Sequence, residues 1–303
     1  MRCRSAPFLR RAAGSLIVSA VVGSIACVPA SAQSPTDSTW KEVGRILQTA
    51  PTAAGGYERY NFPRRDLHVS AAGVAITPAF ALTSWAGFSG APSAAVAMGD
   101  FVVTLGELPR VLKAFSDQKI DVAAIHNHLL GEEPRVMYVH FHATGTALDI
   151  AHRLDAVIRQ TGAPRPVVAA APAPVTIDTA MVFKVLGKSG KASGALAQAS
   201  FVLVPGAVVM HGETLVPGLA YGTSINVQQV TASRAIATGD LAVTSAQLQP
   251  MLSALAANGI TATALHNHMN GEEPAVYFVH FWGDAPLPNL LRGLRAALDA
   301  TTM

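Results

Sequence analysis

Apolar and polar positions along this chain follow two alternating periods, and each change of period marks an element. Leu108, Val111, Leu112 and Phe115 recur at i, i+3, i+4 and i+7, the spacing of a helix that buries one face. Thr104 and Glu107 before them have the spacing of a capping box. Helical spacing also runs through 40–50 (Val43, Ile46, Leu47) and 147–160 (Leu148, Ala151, Leu154, Ile158). Elsewhere the period falls to two. Residues 121–128 and 135–143 predict a strand pair joined by Gly131-Glu132-Glu133-Pro134. Leu67, Val69, Val74 and Ile76, punctuated by Gly73, Pro78, Gly87, Gly90 and Pro92, predict short strands. Gly99-Asp100 reads as a turn leading into another strand.

The same order then recurs. Residues 124–141 and 264–281 are identical at 12 of 18 positions, at a constant offset of 140. Gly239-Asp240 repeats Gly99-Asp100, Thr244 and Gln247 repeat the capping box, and Leu248, Met251, Leu252 and Leu255 repeat the helical stripe. Leu290, Leu291, Leu294 and Leu298 carry a last helix. The expected fold is α+β: two tandem pseudo-repeats, each a β-rich lobe followed by a β-α-β-β-α unit, with helices on one face of an antiparallel sheet. The expected domains are a signal peptide at 1–32, a first repeat at 33–161, a linker rich in Pro and Ala at 162–180, and a second repeat at 181–303.

Candidate chemistry lies in the duplicated stretch. Alternate residues of a strand share a face. His126 and His128 therefore share one with Tyr138 and His140, while Ile125, Leu129, Val139 and Phe141 belong against the helices. In the second copy His266, His268, Phe278 and His280 face away from Leu265, Met269, Val279 and Phe281. Three imidazoles beside a carboxylate form a donor set for zinc, copper, iron or manganese. The candidate ligands are His126, His128, Glu132 and His140, with His266, His268, Glu272 and His280. Glu133, Glu273, Tyr138 and Phe278 are candidate contacts for a bound ligand. Three functional readings follow. The favoured one is a protein binding a metal ion or small ligand. The others are a metal-dependent hydrolase and a structural protein whose histidines pack the lobes together. Whether the chain is an enzyme stays open, although no G-x-S-x-G motif supports acyl transfer. His68, His142, His152 and His211 are not repeated and read as surface or packing residues.

Composition narrows the setting. Arg2, Arg4, Arg10 and Arg11 precede a short apolar run, and Ala30-Ser31-Ala32 has the form of a cleavage signal. The expectation is export to a periplasmic or extracellular space, with lipid attachment at Cys27 a weaker variant. Removal of 1–32 leaves 18 basic against 19 acidic residues and no cysteine. That balance argues against a nucleic-acid partner, and disulfide and thiolate chemistry drop out. No transmembrane span is expected in the mature chain.

The run from Gly99-Asp100 through His126-Asn127-His128 and Glu133-Pro134 to His140, its second copy, and Phe62-Pro63-Arg64 with Asp66-Leu67 resemble a bacterial family named after the lipoproteins LppY and LpqO. The resemblance implies an exported, duplicated protein and brings no activity, substrate or cofactor. The second half lacks a counterpart of Pro63-Arg64, which would make ligand contacts there one-sided.

Overall fold

The computed structural model describes residues 36–302, so the segment read as a signal peptide lies outside the described residues. The first repeat runs α1 (Thr36–Leu47), β1 (Thr52–Ala53), β2 (Glu58–Pro63), β3 (Val69–Ala71), β4 (Val74–Ile76), β5 (Thr83–Ala91), β6 (Ala94–Thr104), α2 (Leu108–Asp117), β7 (Asp121–His126), β8 (Val136–Gly145) and α3 (Ala147–Ile158). The second runs α4 (Thr179–Leu186), β9 (Gly190–Ser193), β10 (Leu196–Phe201), β11 (Val209–Met210), β12 (Glu213–Thr214), α5 (Pro217–Ala220), β13 (Thr223–Thr231), β14 (Arg234–Thr244), α6 (Ser245–Ala257), β15 (Thr261–His266), β16 (Glu272–Glu273), β17 (Val276–Ala285) and α7 (Leu287–Asp299). The fold is α+β and duplicated.

Each repeat builds a six-stranded antiparallel sheet of the same topology, β1-β2-β5-β6-β8-β7 in the first and β9-β10-β13-β14-β17-β15 in the second. Helices cover one face of each sheet. In the first repeat Val43, Val111, Phe115, Ile150 and Leu154 bury against Phe101, Val103, Val139 and Phe141. In the second, Val182, Met251, Leu255, Leu291 and Leu294 bury against Leu241, Val243, Val279 and Phe281. Each such aromatic or aliphatic side chain contributes about 1.5–3 kcal/mol on burial.

The opposite faces of the two sheets meet, which gives four layers, helices outside and sheets within. Two short hairpins fill the flanks of this meeting. Hairpin β3–β4 packs Val69, Val74 and Ile76 on Val102 and Tyr138, and reaches Leu196 and Ile236 of the other repeat. Hairpin β11–β12 takes the equivalent place, where Val208, Met210 and Leu215 join Ala242 and Phe278 with Met98 of the first repeat. Both hairpins turn through two residues of positive φ, Ala72-Gly73 and His211-Gly212, as a tight two-residue turn requires.

Three local expectations are corrected. Gly99-Asp100 and Gly239-Asp240 are not turns; they lie in the middle of the eleven-residue strands β6 and β14. Ile125 and Leu265 are not core residues: each is the penultimate residue of an edge strand and stays exposed, at 44% and 51%. Leu129 and Met269 are buried, but in the clusters between the repeats rather than against the helices.

Candidate metal centre between the sheets

Two rows of residues running across the strands make the site. Across the first sheet Trp85, Asp100, His140 and Ala124 lie side by side, and across the second Ser224, Asp240, His280 and Ala264 do so. One step along the edge strands His126 lies opposite Tyr138, and His266 opposite Phe278. His128 and His268 follow just beyond the strand ends. The glycine before each aspartate is a packing requirement: a Cβ at Gly99 would lie 2.1 Å from the Trp85 carbonyl oxygen and 2.7 Å from the Phe141 ring, and one at Gly239 would lie 2.1 Å from that of Ser224.

The six imidazoles pack into one compact cluster. The His126 and His266 ring centroids are 3.7 Å apart. His128 lies between Tyr138 at 3.4 Å and His280 at 3.7 Å. His268 lies between Phe278 at 3.4 Å and His140 at 3.7 Å. Tyr138 and Phe278 thus flank the cluster.

Four overlapping groups bring ligand atoms within 4.8 Å of one another: Asp240 with His266, His268 and His280; Asp100 with His128 and His140; His126 with His128 and His280; and His126 with His140 and His266. His128 Nε2 is 3.5 Å and His140 Nε2 3.9 Å from Asp100 Oδ2. His268 Nε2 is 3.7 Å and His280 Nε2 3.8 Å from the Asp240 carboxylate. These separations exceed a hydrogen bond of about 2.7–3.2 Å. They approach the edge of a coordination tetrahedron, roughly 3.3–3.4 Å for metal–ligand bonds near 2.0–2.1 Å.

The unmet polar atoms point the same way. Asp100 Oδ1, His126 Nδ1, Asp240 Oδ1 and the Nε2 atoms of His128, His140, His266 and His268 are buried with no hydrogen-bond partner among the described residues. One such group costs about 1–3 kcal/mol, so a cluster of them calls for an occupant. His280 Nδ1 donates to the Gly239 carbonyl at 2.9 Å, and the Gly99 backbone hydrogen-bonds His140. In His280 this fixes the tautomer and turns the Nε2 lone pair into the cluster, as an outer-shell partner does for a metal-bound histidine.

Burial sets the protonation states. It pushes all six imidazoles down, with neighbouring histidines adding to the effect at several of them. His266 reaches about 4 and His280 about 3. Neutral imidazole is the ligating form. Burial also raises the carboxyls, Asp100 to about 8 against the opposing pull of Arg59 and the Val139 backbone, and Asp240 well above its usual range.

The glutamates of the sequence motif enter none of these groups, although both Glu132 carboxylate oxygens are also buried without a hydrogen-bond partner among the described residues. Glu132 and Glu272 are buried, and Glu272 accepts the Val276 N–H at 3.0 Å. Glu133 and Glu273 are exposed, and their backbones pair with Ser70 and Val209. The aspartates take the carboxylate positions instead. Arg64 is no ligand contact: fully buried, it donates to Asp66, Glu107 and the Val102 carbonyl. The second repeat replaces this ion pair by Gln247, which donates to the Leu203 and Thr301 carbonyls, so its missing Pro-Arg pair leaves no gap at the centre.

The chain belongs to a family described as Domain of Unknown Function (DUF1259), whose model matches residues 41–160 and again 180–300. No curated protein matches. Among solved structures the chain is similar to EtuB from Clostridium kluyveri, at 12% identity over 84% of this chain and 90% of that one, with a TM-score of 0.21. It is also similar to the fused permuted hexameric shell protein MSM0275 from the RMM microcompartment, at 14% identity over 70% and 87% of the two chains, with a TM-score of 0.17. Among the described residues no helix is long and apolar enough to cross a membrane.

Proposed function

We propose that this is an exported metal-binding protein of the LppY/LpqO type that holds a divalent transition metal between its two repeats. The observation that carries this reading is the convergence of unpartnered, buried imidazole and carboxylate atoms from both repeats on one small volume. Histidines that merely packed the lobes together would be expected to hydrogen-bond one another or the backbone. Here most of their Nε2 atoms do neither. Six nitrogen donors and two carboxylates suit zinc, copper, iron or manganese better than calcium or magnesium, which prefer oxygen. His126, His128, His140, His266, His268 and His280, with Asp100 and Asp240, would hold the ion.

The test is elemental analysis of the mature protein, purified without a histidine tag and dialysed without chelator. About one or two equivalents of a transition metal are expected. His126→Ala and His266→Ala should each lower that content while the circular dichroism stays unchanged. Metal-free wild-type protein whose melting temperature ignores added zinc, copper, iron and manganese would sink the reading.

A further inference from the structure

The duplication conceals an asymmetry at the centre. The row Asn61, Trp85, Asp100, His140 in the first sheet corresponds to Ser200, Ser224, Asp240, His280 in the second. Arg59 lies on the first-repeat face with its guanidinium 3.9 Å over the Trp85 ring, and its Nε donates to Asn61 Oδ1 at 2.9 Å. Trp85 is the direct neighbour of Asp100 across the strands, so a fixed positive charge borders that carboxylate. The position of Arg59 is taken in the second repeat by neutral Gln198, which bonds Asn226 and the Ala79 carbonyl. Ligand number differs as well. Asp240 gathers three histidines of its own repeat and Asp100 only two, because His126 Nε2 lies 3.1 Å from His280 Nε2 and groups across the repeats. Access differs too: the Asp240 side chain is 20% exposed and that of Asp100 7%.

We propose that the two half-sites are inequivalent. Asp240, His266, His268 and His280 form the tight transition-metal site, with His126 reaching His280 from the other repeat, and Asp100, His128 and His140 form a weaker one that Arg59 holds down. This rests on the metal-binding reading above. In the second repeat a cation meets four donors of that repeat, with neutral Gln198 in the place of the arginine; in the first it meets three donors and the repulsion of a guanidinium in a poorly solvated setting, where charges interact strongly.

The experiment is calorimetric titration of chelator-treated full-length mature protein with zinc alone, with a competing chelator to reach the tight range. The wild type should show one tight equivalent and a second class at least about tenfold weaker. Asp240→Asn should remove the tight class and Asp100→Asn should retain it. Arg59→Gln should tighten the weak class by about tenfold and leave the tight one unchanged. Equal losses in the two aspartate variants, loss of the tight class in Asp100→Asn alone, or an unmoved weak class in Arg59→Gln would overturn the asymmetry while metal binding stands. Absence of zinc binding by the wild type would overturn both.

Discussion

His126 Nε2 lies 3.1 Å from His280 Nε2, although the two residues are 154 positions apart and belong to different repeats. With His280 Nδ1 donating to Gly239, its Nε2 presents a lone pair, so the contact is either a hydrogen bond donated by His126 or two lone pairs aimed at one cation. The distance fits both, but the consequences differ.

If a cation joins them, added zinc at about a hundred times its dissociation constant should stabilise the wild type by about 2.7 kcal/mol. That corresponds to roughly 5–10 °C in melting temperature for a chain of this size. His280→Ala should abolish most of that shift, His126→Ala should reduce it, and the double variant should lose less than the sum of the singles. A plain hydrogen bond would instead give variants that melt lower by the same amount with and without zinc. Differential scanning calorimetry of the four proteins with and without zinc decides between them.

The glycine before each aspartate leads to a second expectation. Gly99→Ala places a Cβ 2.1 Å from a backbone oxygen within a sheet, where no flexible side chain can give way. The cost should be about 3 kcal/mol or more, at or beyond the upper end of overpacking effects. Gly106→Ala is the control, because nothing lies within 4 Å of its Cβ. It should change stability by no more than about 0.5 kcal/mol. Urea midpoints of the two variants test this, and near-equal midpoints would contradict the packing argument.

These glycines also mark how far the site is legible in the sequence. The histidine face is legible because strand alternation leaves Val139 and Phe141 no place but the helix side, and the second copy gives the same answer. Asp100 and Asp240 are not, because a Gly-Asp pair is common turn chemistry, whereas here glycine admits the Phe141 and Phe281 rings against the neighbouring backbone. Their parity with Val102 and Ala242 in a longer strand is the signal that places them beside the histidines. Glu132 and Glu133 adjoin the histidines in sequence, while the loop buries one outside the four ligand groups and turns the other to solvent. The crossing of the two repeats, which makes one centre from two motifs, depends on how whole sheets dock, and no local pattern encodes that.

Ile125 and Leu265 test how far alternation can be trusted at a sheet edge. Ile125 pairs with Val139 and shares its face, yet β7 is the outermost strand and the side chain remains exposed. Ile125→Lys and Leu265→Lys should therefore each change unfolding free energy by no more than about 0.5 kcal/mol. Val139→Lys, at a fully buried position, should prevent folding. A loss of several kcal/mol in either edge variant would mean that these side chains are covered in solution.

Arg64 and Glu107 tie the first sheet to α2, and their acid response has a definite sign. Glu107 Oε1 and Oε2 each accept from the Arg64 guanidinium at 3.0 Å, and the Thr104 and Gly162 backbone N–H groups donate to the same carboxylate. Burial works against the charge, but these donors and the arginine outweigh it and hold the carboxyl below its ordinary value. Between the ordinary value and the lowered one, the unfolded chain binds a proton that the folded chain does not. Stability from this group is therefore whole above the ordinary value and is lost as pH falls through the lowered one. Glu107→Gln copies the residue of the second repeat without its carbonyl partners and leaves Arg64 with Asp66 as its one carboxylate beside the Val102 carbonyl. It should cost about 3 kcal/mol at neutral pH, as removal of one member of a buried pair does. It should also flatten the acid limb of the stability curve, so that the gap between the two proteins narrows as pH falls below the ordinary glutamate value. Chemical denaturation between pH 3 and 7 reads both quantities. A constant gap across that range would show that the carboxylate's charge has no part in holding α2 to the sheet.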